Sequence, residues 1–98
     1  MHFLLSMHFE SFNSSPTPPT DNSLLAALWH DAHGDWEAAH NIAQDIHTRD
    51  GAWLHAYLHR KEGDQWNAGY WYRQAGKPVF IGSLEAEWEE LARAFLSK

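Results

Sequence analysis

From Asp21 onward the apolar residues recur three and four positions apart, the spacing of one helix face, and no stretch alternates long enough to make a strand. Leu24, Leu25, Leu28, Trp29 and Ala32 form the first such stripe, with Asn22 or Ser23 placed to cap it and Gly34 to stop it. Asp35 predicts the start of a second helix with Trp36, Ala39, Ile42, Ala43 and Ile46 inward, ending near residues 48–51. A third is expected from about Ala52 to Glu62, burying Trp53, Leu54, Tyr57 and Leu58. Gly63 ends it, and Asp64 opens a fourth that carries Trp66, Ala68, Trp71, Tyr72 and Ala75 as far as Gly76 and Pro78. After the apolar loop Val79 to Ile81, Ser83 caps a fifth helix with Leu84, Trp88, Leu91 and Phe95 on one stripe. Its acids lead and its bases trail, which suits the helix dipole. The expectation is an all-α domain.

The first twenty residues read differently. The run Phe3 to Met7 is too short to span a membrane and lacks the basic start and cleavage site of a secretory signal. The following SFNSSPTPPTDN is rich in Pro, Ser and Thr, which favours an extended, solvated chain. Residues 1–20 are therefore expected as a flexible or loosely docked tail and residues 21–98 as a single domain. The alternative is a hydrophobic peptide, Phe3 to Phe12, docked on the domain or on a partner.

Two of the hairpins resemble each other. A shift of about 29 residues places Ala27, His30, Gly34, Asp35 and Ala39 on Ala56, His59, Gly63, Asp64 and Ala68. Small residues let paired helices approach, Gly takes a left-handed turn and Asp caps the next helix. The pattern, with Tyr72 and Ala75 in YWYRQAG, resembles a tetratricopeptide or Sel1-like repeat across residues 24–76. That resemblance implies two tetratricopeptide-like helical hairpins, with the fifth helix as a cap on the minimal stack. The segment HAYLHRKEGDQWNAGYWYRQAGK is also similar to one in small bacterial proteins without an assigned activity. It implies a bacterial, cytoplasmic setting and no catalytic residue.

Composition narrows the chemistry. The absence of cysteine rules out disulfides and thiolate metal sites, so packing must supply the stability. A formal charge of -6 without a Lys/Arg cluster argues against nucleic acid and anionic membranes as partners. The eight histidines would offset much of that charge in mild acid.

Those histidines carry the first chemical candidate. His55, His59 and Glu62 share one face of the third helix, and His40, Gln44 and His47 one face of the second. That spacing sterically allows a divalent-metal site from His47, His55 and His59, or from His40, His59 and Glu62, although no H-E-x-x-H motif is present and spacing does not register ligands on separate helices. The ordinary reading is hydrogen-bonded histidines at the core edge.

A second candidate surrounds the Gly63 corner: Arg60, Glu62, Asp64, Asn67, Tyr70 and Arg73. As structure, it is a charge network that orients a hairpin. As function, Arg60 or Arg73 would grip a carboxylate or phosphate against an aromatic wall of Trp53, Trp66 and Tyr70. No nucleophile elbow, phosphate loop or paired-carboxylate motif points to an enzyme. Glu85, Glu87, Glu89 and Glu90 are expected as a solvated acidic face.

The function expected first is a non-enzymatic interaction or assembly module, engaging a protein partner or a second copy of itself through its surplus aromatics. The second is a small-ligand or divalent-metal-binding protein that uses the His/Arg face of the third helix. The residues in view are Trp53, His55, His59, Arg60, Glu62, Trp66, Asn67, Tyr70 and Arg73.

Overall fold

The computed structural model describes residues 9–97. They form five capped helices after a short helical stretch at residues 9–13, and contain no strand. The five are α1 (Ser23–Ala32), α2 (Trp36–Gln44), α3 (Arg49–Lys61), α4 (Gln65–Ala75) and α5 (Leu84–Leu96). None is long and apolar enough to cross a membrane.

Each helix starts where a short polar side chain can take up a free backbone N–H. Asn22, Asp35, Thr48, Asp64 and Ser83 accept from the amide three residues on, at 3.0–3.1 Å. Removing one such cap costs about 0.5–2 kcal/mol. Thr48 corrects the expected boundary: it opens α3 at Arg49 rather than closing α2, which ends at Gln44. Gly51 accordingly sits inside α3, where a Cβ would strike the Ile46 carbonyl and come within 2.8 Å of Ile46 Cγ2. It permits close packing and is no helix stop.

The two Gly-Asp corners share one geometry. Gly34 and Gly63 take φ of 82° and 88°, and the amides of Asp35 and Asp64 each bond back to a histidine carbonyl, His30 or His59, at 2.9 Å. α1 therefore folds onto α2, and α3 onto α4. α2 then packs on α3, while α5 lies across α1 and α3.

α3 is the spine of this arrangement, with every residue from Gly51 to Leu58 buried. Leu28, Leu54, Leu58 and Leu91 are fully enclosed around it. Truncating one of these to Ala costs about 2–5 kcal/mol. Residues 9–20, expected in the tail, bring Phe9 and Phe12 into the same core. Phe12 stacks on Trp88 at 5.8 Å, and Trp29 Nε1 donates to the Ser15 carbonyl at 3.0 Å. The core thus begins before residue 20; Phe3 to Met7, with the first part of the Phe3–Phe12 peptide, lie outside the described residues.

Two buried carboxylates hold the outer helices to α3. Asp31 of α1 accepts from Tyr57 Oη at 2.7 Å and from Lys61 Nζ at 2.8 Å. Glu87 of α5 accepts from Tyr72 Oη at 2.6 Å, Arg60 Nε at 3.0 Å and Trp53 Nε1 at 3.2 Å. Glu87 is fully buried, which corrects its expected place on a solvated face; Glu85, Glu89 and Glu90 are exposed. Burial, followed by the bonded carboxylate, pushes both tyrosine hydroxyls well above their ordinary range. They stay protonated donors.

Candidate metal centre

The opposite side of α3 carries histidines. His55 and His59 are one turn apart and stack at 4.8 Å. α2 crosses them with Ala39 and Ala43, both buried, so the helices approach closely enough for His40 to reach α3. His40 Nε2 lies 3.0 Å from His55 Nε2. One ligand atom from each of His40, His55 and His59 falls within 4.8 Å of the others. Imidazole nitrogens around a tetrahedral Zn²⁺ stand about 3.4 Å apart, so small side-chain rotations would close the set.

Fixed neighbours orient the rings. His59 Nδ1 lies 2.7 Å from Glu62 Oε1, and an ionised carboxylate only accepts, so Nδ1 holds the proton. In the neutral ring Nε2 is then the bare nitrogen. Trp36 stacks on His40 at 4.8 Å while its Nε1 donates to the Leu58 carbonyl at 2.8 Å. Trp71 stacks on His55 at 4.1 Å.

The electrostatics favour uncharged rings. Burial pushes the His55 pKa down to about 4, and repulsion from His40 and His59 adds to it. Burial also lowers His40, with His59 acting in the same direction and Glu62 partly opposing. At neutral pH both rings are therefore neutral, the form that binds a cation.

The remaining sequence candidates separate. His47 is exposed and outside this convergence; with Gln44, Arg49, His55 and Trp71 it lines a different hollow of about 360 Å³. Trp53 is buried on the Glu87 side, so it builds no wall with Tyr70. Arg60 is committed to Glu87 and to the carbonyls of Gly82 and Ser83, at 3.0–3.2 Å. Asn67 donates to Asp64 through its backbone amide and its side chain, which hold the Asp64 carboxyl below the usual carboxylate range. Trp66, Tyr70 and Arg73 remain on the open side of α4, Trp66 at 78% exposure.

The predicted constellation at the Gly63 corner is thus several separate pairs rather than one network. His40 joins His55 and His59 in a set that neither spacing rule proposed as a trio. Trp36, one turn before His40, was the available signal for a ring held in place on α2.

Comparison with known proteins gives no match to a protein-family profile, to a curated protein or to a solved structure.

Proposed function

We propose that this chain is a small helical binding domain for a divalent transition-metal ion, held by His40, His55 and His59. The observation that carries the reading is the convergence of three imidazole ligand atoms within 4.8 Å where α2 packs on α3. Imidazole donors suit Zn²⁺, Ni²⁺, Co²⁺ and Cu²⁺ and disfavour Mg²⁺ and Ca²⁺, which prefer oxygen. Because His40 belongs to the first hairpin and the other two ligands to the second, a bound ion would clamp α2 to α3. The matched Gly-Asp corners support reading the scaffold as two related hairpins, with the ion at their junction.

Thermal melting of the full chain without a histidine tag, stripped with chelator, tests this. Zn²⁺ or Ni²⁺ at about one hundred times its Kd should stabilise the fold by about 2.7 kcal/mol, and His40→Ala should abolish the gain. No shift with either ion, together with no metal retained on purification, would refute the reading.

A second reading rests on a different observation. Trp66 and Tyr70 lie one turn apart on the solvent side of α4, at 78% and 40% exposure, with Arg73 beyond them. Such aromatics with an arginine are the residues that dominate protein interfaces, and a second copy of the chain is the simplest partner. If the wild-type chain scatters light as a monomer at high concentration, just as the Trp66→Ala, Tyr70→Ala double variant does, self-association is excluded.

A further inference from the structure

We infer that the histidine centre supplies three protein ligands and leaves one coordination position open to a small monodentate anion. The inference rests on the metal reading above and adds what completes the ion's shell.

The argument is an account of donors among the described residues. Glu62 and Asp64 are the acids that, with His59, form a second close group of possible ligands. Glu62 Oε1 already accepts from His59 Nδ1 at 2.7 Å. Nδ1 and Nε2 point from opposite edges of the ring, so a carboxylate bound at Nδ1 stands away from an ion at Nε2. Glu62 could coordinate that ion only by releasing the histidine it orients. Asp64 is committed through both oxygens, to Asn67 N at 3.1 Å and Asn67 Nδ2 at 2.6 Å. His47 lies outside the group, and Trp36 and Trp71, which flank the rings, offer no lone pair to an ion.

Three protein ligands with an exchangeable fourth is the arrangement that zinc uses where it binds small molecules, whereas purely structural sites are closed by four. Three neutral imidazoles bring no charge to the ion, and the nearby carboxylates, Glu62 and Asp64, are held by His59 and Asn67, which favours an anion as the fourth ligand. Solvent has a route, because His40 is half-buried and the His59 side chain is 12% exposed. The ligand class is a small anionic donor such as a carboxylate, azide or hydroxide.

Co²⁺ reports this directly through its visible absorption, which responds to the number and type of ligands. Titrating chelator-stripped full chain with Co²⁺ should produce the bands, and added azide should shift them saturably. Glu62→Gln, which can still accept from His59 Nδ1, should keep Co²⁺ affinity within a few-fold. Glu62→Ala should weaken it about 10–100-fold while retaining the azide response. Asp64→Asn, which still caps α4, should leave the bands unchanged.

If Co²⁺ binds but azide leaves the bands unmoved, or Asp64→Asn alters them, the protein fills the fourth position. The inference then falls while the metal reading stands. If Co²⁺ produces no bands and Zn²⁺ gives no thermal shift, the metal reading fails and takes the inference with it.

Discussion

The depressed pKa of His55 makes a quantitative statement about acid stability. In the unfolded chain the ring titrates at its ordinary 6.5, and in the folded protein at about 4. Between those values the unfolded state binds more protons, so stability rises with pH and is lost as pH falls through the window. A gap of that size corresponds to about 3 kcal/mol once fully crossed, and to about 2 kcal/mol between pH 7 and pH 5. For a domain of this length that lowers the Tm by roughly 8–16 °C. The groups that face the ring are His40 from α2, His59 from α3 with Glu62 behind it, and the uncharged Trp71 from α4, with His47 and Arg49 across the adjoining hollow. Other carboxylates also titrate in acid, so the informative quantity is a difference. Melting curves in chelator at pH 7, 6 and 5 should fall more steeply for wild type than for His55→Gln, which removes the titration but can still hydrogen-bond His40. Parallel curves would refute the burial argument.

Three further outcomes follow from the packing. Glu87→Ala would leave Arg60, Tyr72 and Trp53 without their shared acceptor; urea unfolding should show a loss of about 3–5 kcal/mol, and a loss below about 1 kcal/mol would contradict its role. Gly51→Ala should destabilise by about 1–3 kcal/mol despite alanine's better helix propensity, since the new methyl meets Ile46 backbone. Gly69→Ala should do the opposite and stabilise by about 0.5–1 kcal/mol, because its Cβ would meet only Arg73 Nη1 at 3.8 Å. If Gly51→Ala stabilises as Gly69→Ala does, the close approach at Gly51 is wrong.

What could be read in the sequence was whatever is local. Caps, corners and helical stripes depend on residues within four positions of one another, so Asp35, Gly63, Asp64, Gly76 and Ser83 identified themselves. The α2–α3 junction failed because Gly51 is ordinarily a helix stop, and only the proximity of Ile46 explains it inside α3. Glu87 looked like one more acid on an acidic helix; its partners are 15 to 34 residues away in sequence. The candidate site divided for the same reason. His55, His59 and Glu62 were legible because they share a helix face, whereas placing His40 rather than His47 opposite them requires the register between two helices. No periodicity supplies that register.

The two polar faces of α3 differ in a way that bears on function. Toward α1 and α5, Asp31 and Glu87 meet charged, hydroxyl or indole donors, and every contact pairs a donor with a group that only accepts. Such a network is complete and holds helices together without needing anything more. Toward α2 the contacts are between like groups. His40 and His55 meet nitrogen to nitrogen, so one proton serves two rings, and His59 turns its protonated nitrogen to Glu62. In the neutral pair one ring donates its N–H to the other's bare nitrogen, and protonating both rings would place like charges about 3 Å apart. The neutral pair has its hydrogen bond made, and a cation with nitrogen affinity would displace the shared proton to bind both nitrogens. If the cluster were only structural, Zn²⁺ would leave the melt of wild type and of a variant with another hydrogen-bonding pair, such as Gln and Asn at His40 and His55, equally unchanged. If it is a metal centre, the same replacement would remove Zn²⁺-dependent stabilisation altogether, and comparing the two melts with and without Zn²⁺ separates the cases.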